Sequence, residues 1–242
     1  MVFDNINFID EFGKEQKLKF NNVYCVDCMK VLKLIPDKSI DLCIVDPPYG
    51  IGMGGGKIGN SKTDYKQFAG NDDKIPDKEY FTELFRISKN QIIWGGNYMI
   101  EYLFPTSGWI VWDKVQPEKF TMAMCELAWT SFVTPAKIYK KRIVGADDCR
   151  IHPTQKPVAL YEWLLKNYAK KGDKILDTHL GSASSIIACK KLGFEYLGFE
   201  LDPDYFKSAN ERIAKFDAQG NLFNILNAQP KQENLFKKGD LK

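Results

Sequence analysis

Asp46-Pro47-Pro48-Tyr49 directly follows the apolar run Ile40–Val45. Two successive prolines hold the backbone extended and remove two N–H donors. What remains is a stiff, acceptor-rich turn: the Asp46 carboxylate, the Pro47 and Pro48 carbonyls and the Tyr49 ring. Such a turn suits an exocyclic amine, whose N–H bonds need acceptors while its ring stacks on an aromatic face. The plainer alternative is a strand-terminating turn with a capping aspartate.

A second set of chemically capable residues lies in Ile175-Leu176-Asp177-Thr178-His179-Leu180-Gly181-Ser182-Ala183-Ser184. Here a strand pattern ends in an acid, and a short glycine- and serine-containing turn enters a helix. A further strand pattern ends in Glu200, about twenty residues on, where a carboxylate can accept ribose hydroxyls. The glycines that cradle a diphosphate are missing, so a nucleoside without phosphates fits better. The stretch Gly50-Ile51-Gly52-Met53-Gly54-Gly55 formally matches GxGxxG but opens no apolar-faced helix, so it fails as a dinucleotide fingerprint. A phosphate-binding loop fails as well, because Ile51 and Ile58 stand where glycine and Ser or Thr are required.

Alternating elements must hold these turns in place. Strand patterns occupy 23–26, 40–45, 91–94, 108–112, 125–132, 174–177 and 196–200. Helical patterns occupy 77–89, 157–169 and 182–192, and a last helix opens at Asp202-Pro203, an N-cap followed by proline. The near-continuous apolar run 40–45 marks a strand buried on both faces, and the alternation predicts a doubly wound α/β sheet. Residues 50–75 are glycine-rich and read as a long functional loop. Beyond Phe216 the chain turns polar and reads as a loosely packed tail.

The whole chain is compatible with this picture. It has 242 residues, 44% hydrophobic and 27% charged, with a formal net charge of +3. That length holds one large domain, and those fractions exclude a disordered or fibrous chain. No run approaches the roughly 18 apolar residues of a membrane span, and the opening MVFDNINFIDEFGKEQ lacks a leader's apolar core. A cytoplasmic protein without membrane contact is therefore expected. The mild positive charge permits a nucleic-acid partner without demanding one. Cys25, Cys43 and Cys189 sit in apolar runs, as thiols of a reducing compartment do. Cys25-Val26-Asp27-Cys28 is a lone CxxC, and His152 and His179 are the two histidines, so no metal site is expected.

The segments, taken in order, resemble the DNA amino-methyltransferases, S-adenosylmethionine-dependent enzymes that methylate adenine N6 or cytosine N4. Asp46-Pro47-Pro48-Tyr49 is similar to their catalytic motif, and 26–41 to the segment leading into it. Ile92-Ile93-Trp94-Gly95-Gly96-Asn97-Tyr98, Trp112-Asp113-Lys114 and His152-Pro153-Thr154-Gln155-Lys156-Pro157 resemble further family segments. Catalytic motif before cofactor motif is the order of the family's β class. The resemblance covers roughly 21–214 and departs at Thr178-His179, where Pro-Phe is usual, and at Ala183, where glycine is usual.

The resemblance implies a mostly parallel seven-stranded methyltransferase sheet, Rossmann-like and circularly permuted, with helices on both faces. It implies one domain over 1–214, a short target-recognition insertion at 116–150 and a polar tail at 215–242. Asp46, Pro47, Pro48 and Tyr49 would be catalytic, with Asp46 and the Pro47 carbonyl holding the amine and Tyr49 stacking on a flipped base. The methyl donor would be S-adenosylmethionine. Asp177 would lie beside its methionine part and Glu200 at its ribose, with Thr178, His179, Gly181, Ser182 and Ser184 in the connecting loop. Asp27 would contact the adenine or serve structurally, and Thr154 and Lys156 would meet the carboxylate end. Double-stranded DNA is the expected partner, with Lys137, Lys140, Lys141 and Arg142, and Arg150 beyond them, on its phosphates. Within the family, Asp at the first motif position favours adenine N6. Cytosine N4 and a non-catalytic nucleic-acid-binding protein are the rivals. A homodimer is left open. So is a replication sliding clamp, because Gln219-Gly220-Asn221-Leu222-Phe223 and Gln232-Glu233-Asn234-Leu235-Phe236 both fit Gln-x-x-Leu-Phe.

Overall fold

The computed structural model describes residues 3, 5–52, 56–57, 64–65, 72–117, 123–142 and 155–228. A hairpin of β1 (Asn7–Ile9) and β2 (Glu15–Lys17) precedes β3 (Asn22–Cys25), the short helix α1 (Cys28–Leu32) and β4 (Ile40–Val45). Two-residue strands β5 (Gly56–Lys57) and β6 (Asp64–Tyr65) pair with each other inside the glycine-rich loop. Helix α2 (Lys78–Ile87) then leads to β7 (Ser88–Trp94), β8 (Trp109–Asp113), β9 (Cys125–Thr130) and β10 (Lys137–Lys140). The chain returns through α3 (Val158–Tyr168), β11 (Lys174–Asp177), α4 (Ser184–Leu192), β12 (Glu195–Glu200) and α5 (Pro203–Ala228).

Eight strands form one sheet in the order β10-β8-β9-β7-β4-β11-β12-β3. Every neighbouring pair is parallel except the two that involve β9. Strand β4 sits near the centre, and its alternation serves two cores at once. Cys43 and Val45 join Tyr80, Phe81, Leu84 and Ile87 of α2 on one face. Leu42 and Ile44 join Leu160 and Leu164 of α3 and Ile186 of α4 on the other. Each fully buried side chain of this size contributes about 1.5–3 kcal/mol, which is why the run tolerates no polar residue between Leu42 and Val45.

The doubly wound sheet expected from the alternation of patterns is present, with one strand more than the seven anticipated. The extra strand is β10, whose Lys137-Ile138-Tyr139-Lys140 reads in the sequence as part of a basic cluster. Its side chains alternate between half-buried and exposed, the signature of an edge strand rather than a uniformly solvated run. Strands β9 and β10 both fall inside the span expected as an insertion, yet both pair into the sheet. Helix α5 continues to Ala228 through the start of the expected tail. A single interior glycine, Gly220, costs a helix only about 1 kcal/mol and does not end it. No helix among the described residues is long and apolar enough to cross a membrane.

Candidate active site

The strand order reverses between β4 and β11: the chain moves outward from β4 to β7, and outward the other way from β11 to β12. In open α/β sheets the crevice at such a reversal, beyond the carboxyl ends of the strands, is where ligands bind. The Asp46 turn leaves β4 at this point, and Asp177 ends the adjacent β11.

Several remote groups shape the turn. Asp72 Oδ1 accepts the backbone N–H of Tyr49 at 2.5 Å and of Gly50 at 3.0 Å, pinning the chain where the prolines release it. The Tyr49 hydroxyl donates to Asp46 Oδ1 at 2.6 Å. Its ring lies against Gly95, which has φ +67°; a Cβ there would come within 2.2 Å of the ring. Only glycine satisfies both the left-handed backbone and the close approach. The Tyr49 ring also stacks on Tyr98, with centroids 5.3 Å apart and planes 18° from parallel.

The Asp46 carboxylate is engaged on its other side by Lys156, whose Nζ lies 2.5 Å from Oδ2. The same ammonium reaches Glu126 Oε2 at 2.9 Å and the Tyr49 hydroxyl oxygen at 3.2 Å. Glu126 Oε1 in turn lies 2.7 Å from Lys114 Nζ. Burial pushes the Asp46 carboxyl up; Lys156 opposes that push and Glu126 adds to it. Burial alone would also raise Glu126, but Lys156 and Lys114 overcome it and hold that carboxyl down at about 2. Burial would lower Lys156, yet the two carboxylates keep it above the ordinary lysine range.

On the other half of the crevice, Asp177 and Glu200 end β11 and β12, and Asp27 lies just beyond β3. Asp177 is buried, accepting Ser185 Oγ at 2.5 Å and the His179 N–H at 3.1 Å. Burial pushes its carboxyl up to about 7 against those two hydrogen bonds. Glu200 accepts the N–H of Gly181 at 2.8 Å and of Asp202 at 2.9 Å, and burial raises it also. Asp27 caps α1 by accepting the Met29 N–H at 2.9 Å. His179 contacts Thr178 Oγ1 through Nδ1 at 2.9 Å, and its ring meets Tyr80 edge-on. Burial pushes the imidazole down to about 4, so it is neutral near pH 7.

The structure therefore brings Asp46, Pro47, Pro48, Tyr49, Asp177, Thr178, His179, Gly181, Glu200 and Asp27 to one end of the sheet. Ser182 and Ser184 serve the loop itself: Arg212 of α5 donates to Ser182 O at 2.6 Å and Ser184 Oγ at 2.9 Å. Lys156 is not held out for a ligand carboxylate, as the sequence suggests, because two protein carboxylates already claim it. The basic run is divided. Lys137 folds onto Tyr168 of α3 and reaches Asn167 Oδ1 at 3.2 Å. Lys140 ends β10 and Lys141 and Arg142 come directly after it, at the same end of the sheet as Asp46. Thr154, Arg150 and Gln232-Glu233-Asn234-Leu235-Phe236 lie outside the described residues, and Gln219-Gly220-Asn221-Leu222-Phe223 falls within α5.

Glu126, Lys114, Asp72 and Arg212 do not stand out in the sequence as site residues. Glu126 reaches the site because β9 runs antiparallel, which puts its first residues at the carboxyl ends of its neighbours; nothing local to 125–130 announces that. Lys114 is visible only as part of Trp112-Asp113-Lys114.

Residues 111–211 match a family model described as DNA methylase, of the N6/N4 methyltransferase type. The type II methyltransferase M.HpaI of Haemophilus parainfluenzae is 25% identical, covering 86% of this chain and 78% of that protein. M.HinfI of Haemophilus influenzae, also a type II methyltransferase, is 26% identical over 87% of this chain and 73% of its own length. Among solved structures, an M1.HpyAVI–SAM complex superposes with a TM-score of 0.54 at 20% identity, covering 79% of this chain and 98% of its own. The cytosine-N4-specific PvuII DNA methyltransferase gives 0.58 at 14% identity, covering 87% and 94%. Motif order, the strand-end carboxylates and these relatives point the same way: the chain is similar to type II DNA methyltransferases, and its residues 111–211 match the DNA methylase family model.

Proposed function

We propose that the protein methylates the exocyclic N6 of adenine in double-stranded DNA. The single observation that carries this reading is the Asp46 turn set beside the Asp177 strand end at the reversal of strand order.

The cofactor half of the crevice fits S-adenosylmethionine by its chemistry. Three carboxylates and a neutral imidazole offer acceptors for ribose hydroxyls and compensation for positive charge, and they would repel a phosphate. Asp177 and Glu200 would hold the methionine part and the ribose, Asp27 the adenine, and His179 would lay an uncharged ring against the ligand. When bound, S-adenosylmethionine supplies an electrophilic methyl whose bond to sulfur breaks with its electron pair remaining on sulfur.

The protein's own part is to prepare the amine. An amine conjugated with a purine ring is a poor nucleophile because its lone pair is delocalised. Hydrogen bonds from its two protons to Asp46 and the Pro47 carbonyl would favour a pyramidal nitrogen with the lone pair aimed at the methyl. As the new N–C bond forms, the nitrogen gains positive charge and sheds one proton to Asp46, whose burial-raised affinity suits it to receive one. Positioning of this kind supplies on the order of 7–11 kcal/mol in favourable cases. Because the amine is paired inside a duplex, the base must leave the stack, and Tyr49 would receive it.

The preference for adenine rests on aspartate at the first position of the turn. Cytosine N4 presents nearly the same amine, so product identity is the test. Incubation with S-adenosylmethionine and unmethylated duplex DNA, then digestion and mass spectrometry of nucleosides, is expected to give N6-methyldeoxyadenosine. N4-methyldeoxycytidine would keep the mechanism and overturn the base; no methylated nucleoside would overturn the reaction.

A further inference from the structure

The carboxylate of the Asp46 turn is the last member of a row of alternating charges. From the end of β8 the row runs Lys114, Glu126, Lys156, Asp46, with successive separations of 2.7, 2.9 and 2.5 Å. The Lys156 side chain is 2% exposed and that of Lys114 is 7% exposed, so these are interior cations and not surface charges lying nearby. An ammonium is costly to bury unless carboxylates compensate it, and apolar side chains of similar volume fill interior space at lower cost. A buried lysine between two carboxylates is therefore explained poorly by packing alone.

We propose that Lys156 is a positioning residue for the reaction, holding Asp46 ionised and oriented, and that Glu126 sets the share of its charge that Asp46 receives. This rests on the reading of Asp46 as acceptor of the target amine. The groups that face Asp46 are the Tyr49 hydroxyl from its own turn, Glu126 from β9, Lys156 from the segment before α3, Tyr161 from α3 and Asp177 from β11. Lys156 is the one cation among these described neighbours, and it also touches Glu126. Burial drives Asp46 toward its neutral form and Lys156 works against it.

Two opposite consequences follow. Without the ammonium, Asp46 and Glu126 are two buried carboxylates with nothing between them, and Asp46 becomes harder to ionise. Without the Glu126 charge, Lys156 belongs to Asp46 undivided, and Asp46 becomes easier to ionise. A protonated Asp46 neither accepts the amine's hydrogen bond at that oxygen nor takes its proton, so activity on the acid side follows its ionisation.

The test is the single-turnover rate of methyl transfer from S-adenosylmethionine to duplex DNA across pH. It uses the full chain and Lys156→Met, Lys156→Arg and Glu126→Gln, with the cofactor's dissociation constant measured for each. The acid limb is expected to move up by about 1–3 pH units in Lys156→Met, the usual effect of an adjacent opposite charge. It is expected to move down in Glu126→Gln and to return toward the parent position in Lys156→Arg, with cofactor affinity unchanged in all three. Opposite shifts cannot come from a general loosening of the fold, and Glu126→Gln carries the test alone if Lys156→Met does not fold. Limbs that stay in place in both variants, or a Lys156→Met whose one effect is weaker cofactor binding, would overturn the inference while leaving the methyltransferase reading intact. A parent protein inactive at every pH would overturn both.

Discussion

Asp177, buried at the end of β11, sits in an environment far from that of an ordinary carboxylate. With its carboxyl pushed up to about 7, much of the free protein carries it protonated near neutrality. A cationic ligand beside it favours the ionised form, so binding releases a proton. Affinity for S-adenosylmethionine is thus expected to rise with pH below about 7, by up to about tenfold per unit, and to level off above. Calorimetric titration across that range checks this. Asp177→Asn should bind more weakly and lose the dependence; a pH-independent parent would contradict the assignment. Asp177, Glu200 and the Asp46 turn were legible in the sequence because each is an acid closing an apolar strand pattern. Glu126 and Asp72 were not, since each acquires its role from a partner on another element: Glu126 from Lys156, and Asp72 from the N–H groups of Tyr49 and Gly50.

At the scale of elements, the loop between β11 and α4 carries a substitution that the structure makes interpretable. Ala183, where the family usually has glycine, adopts φ 60°, a left-handed conformation that crowds a Cβ. Ala183→Gly is expected to stabilise the protein by about 0.5–1 kcal/mol, the relief of that crowding exceeding glycine's entropic cost. In a chain of this size that raises Tm by about 1–4 °C. An unchanged or lower Tm in thermal unfolding would show that the loop has already absorbed the strain. Helices α2, α3 and α4 were readable from their apolar spacing, and Asp77 caps α2 by accepting the Tyr80 N–H at 3.2 Å. Helix α1 has five residues, too few for periodicity to appear, and β10 hid in a basic run that read as a DNA-contacting cluster.

For the molecule as a whole, strand direction separates the basic residues expected to meet DNA. Lys140, the last residue of β10, and Lys141 and Arg142 after it lie at the end of the sheet that carries Asp46, whereas Lys137 is folded onto α3. Removing Lys140, Lys141 and Arg142 together is expected to flatten the dependence of DNA affinity on salt, by about 0.9 in log–log slope for each phosphate that is no longer neutralised. Lys137→Ala should leave the slope unchanged. Fluorescence anisotropy over a salt series measures both, and equal effects would mean that position along β10 does not sort these side chains. The doubly wound plan and its catalytic-before-cofactor order were legible because they depend on the sequence order of motifs. The position of β9, which joins β7 to β8, was not, because pairing between distant strands is set by the assembled sheet and not by any one segment. If Asp46 prepares an amine of DNA for methylation, labelled methyl followed from S-adenosylmethionine into duplex DNA separates the parent chain from Asp46→Ala, with cofactor binding measured in parallel. Transfer by the parent, and a fall of at least about a hundredfold in the variant with cofactor binding retained, is the predicted result. A variant that methylates DNA at the parent's rate would contradict it.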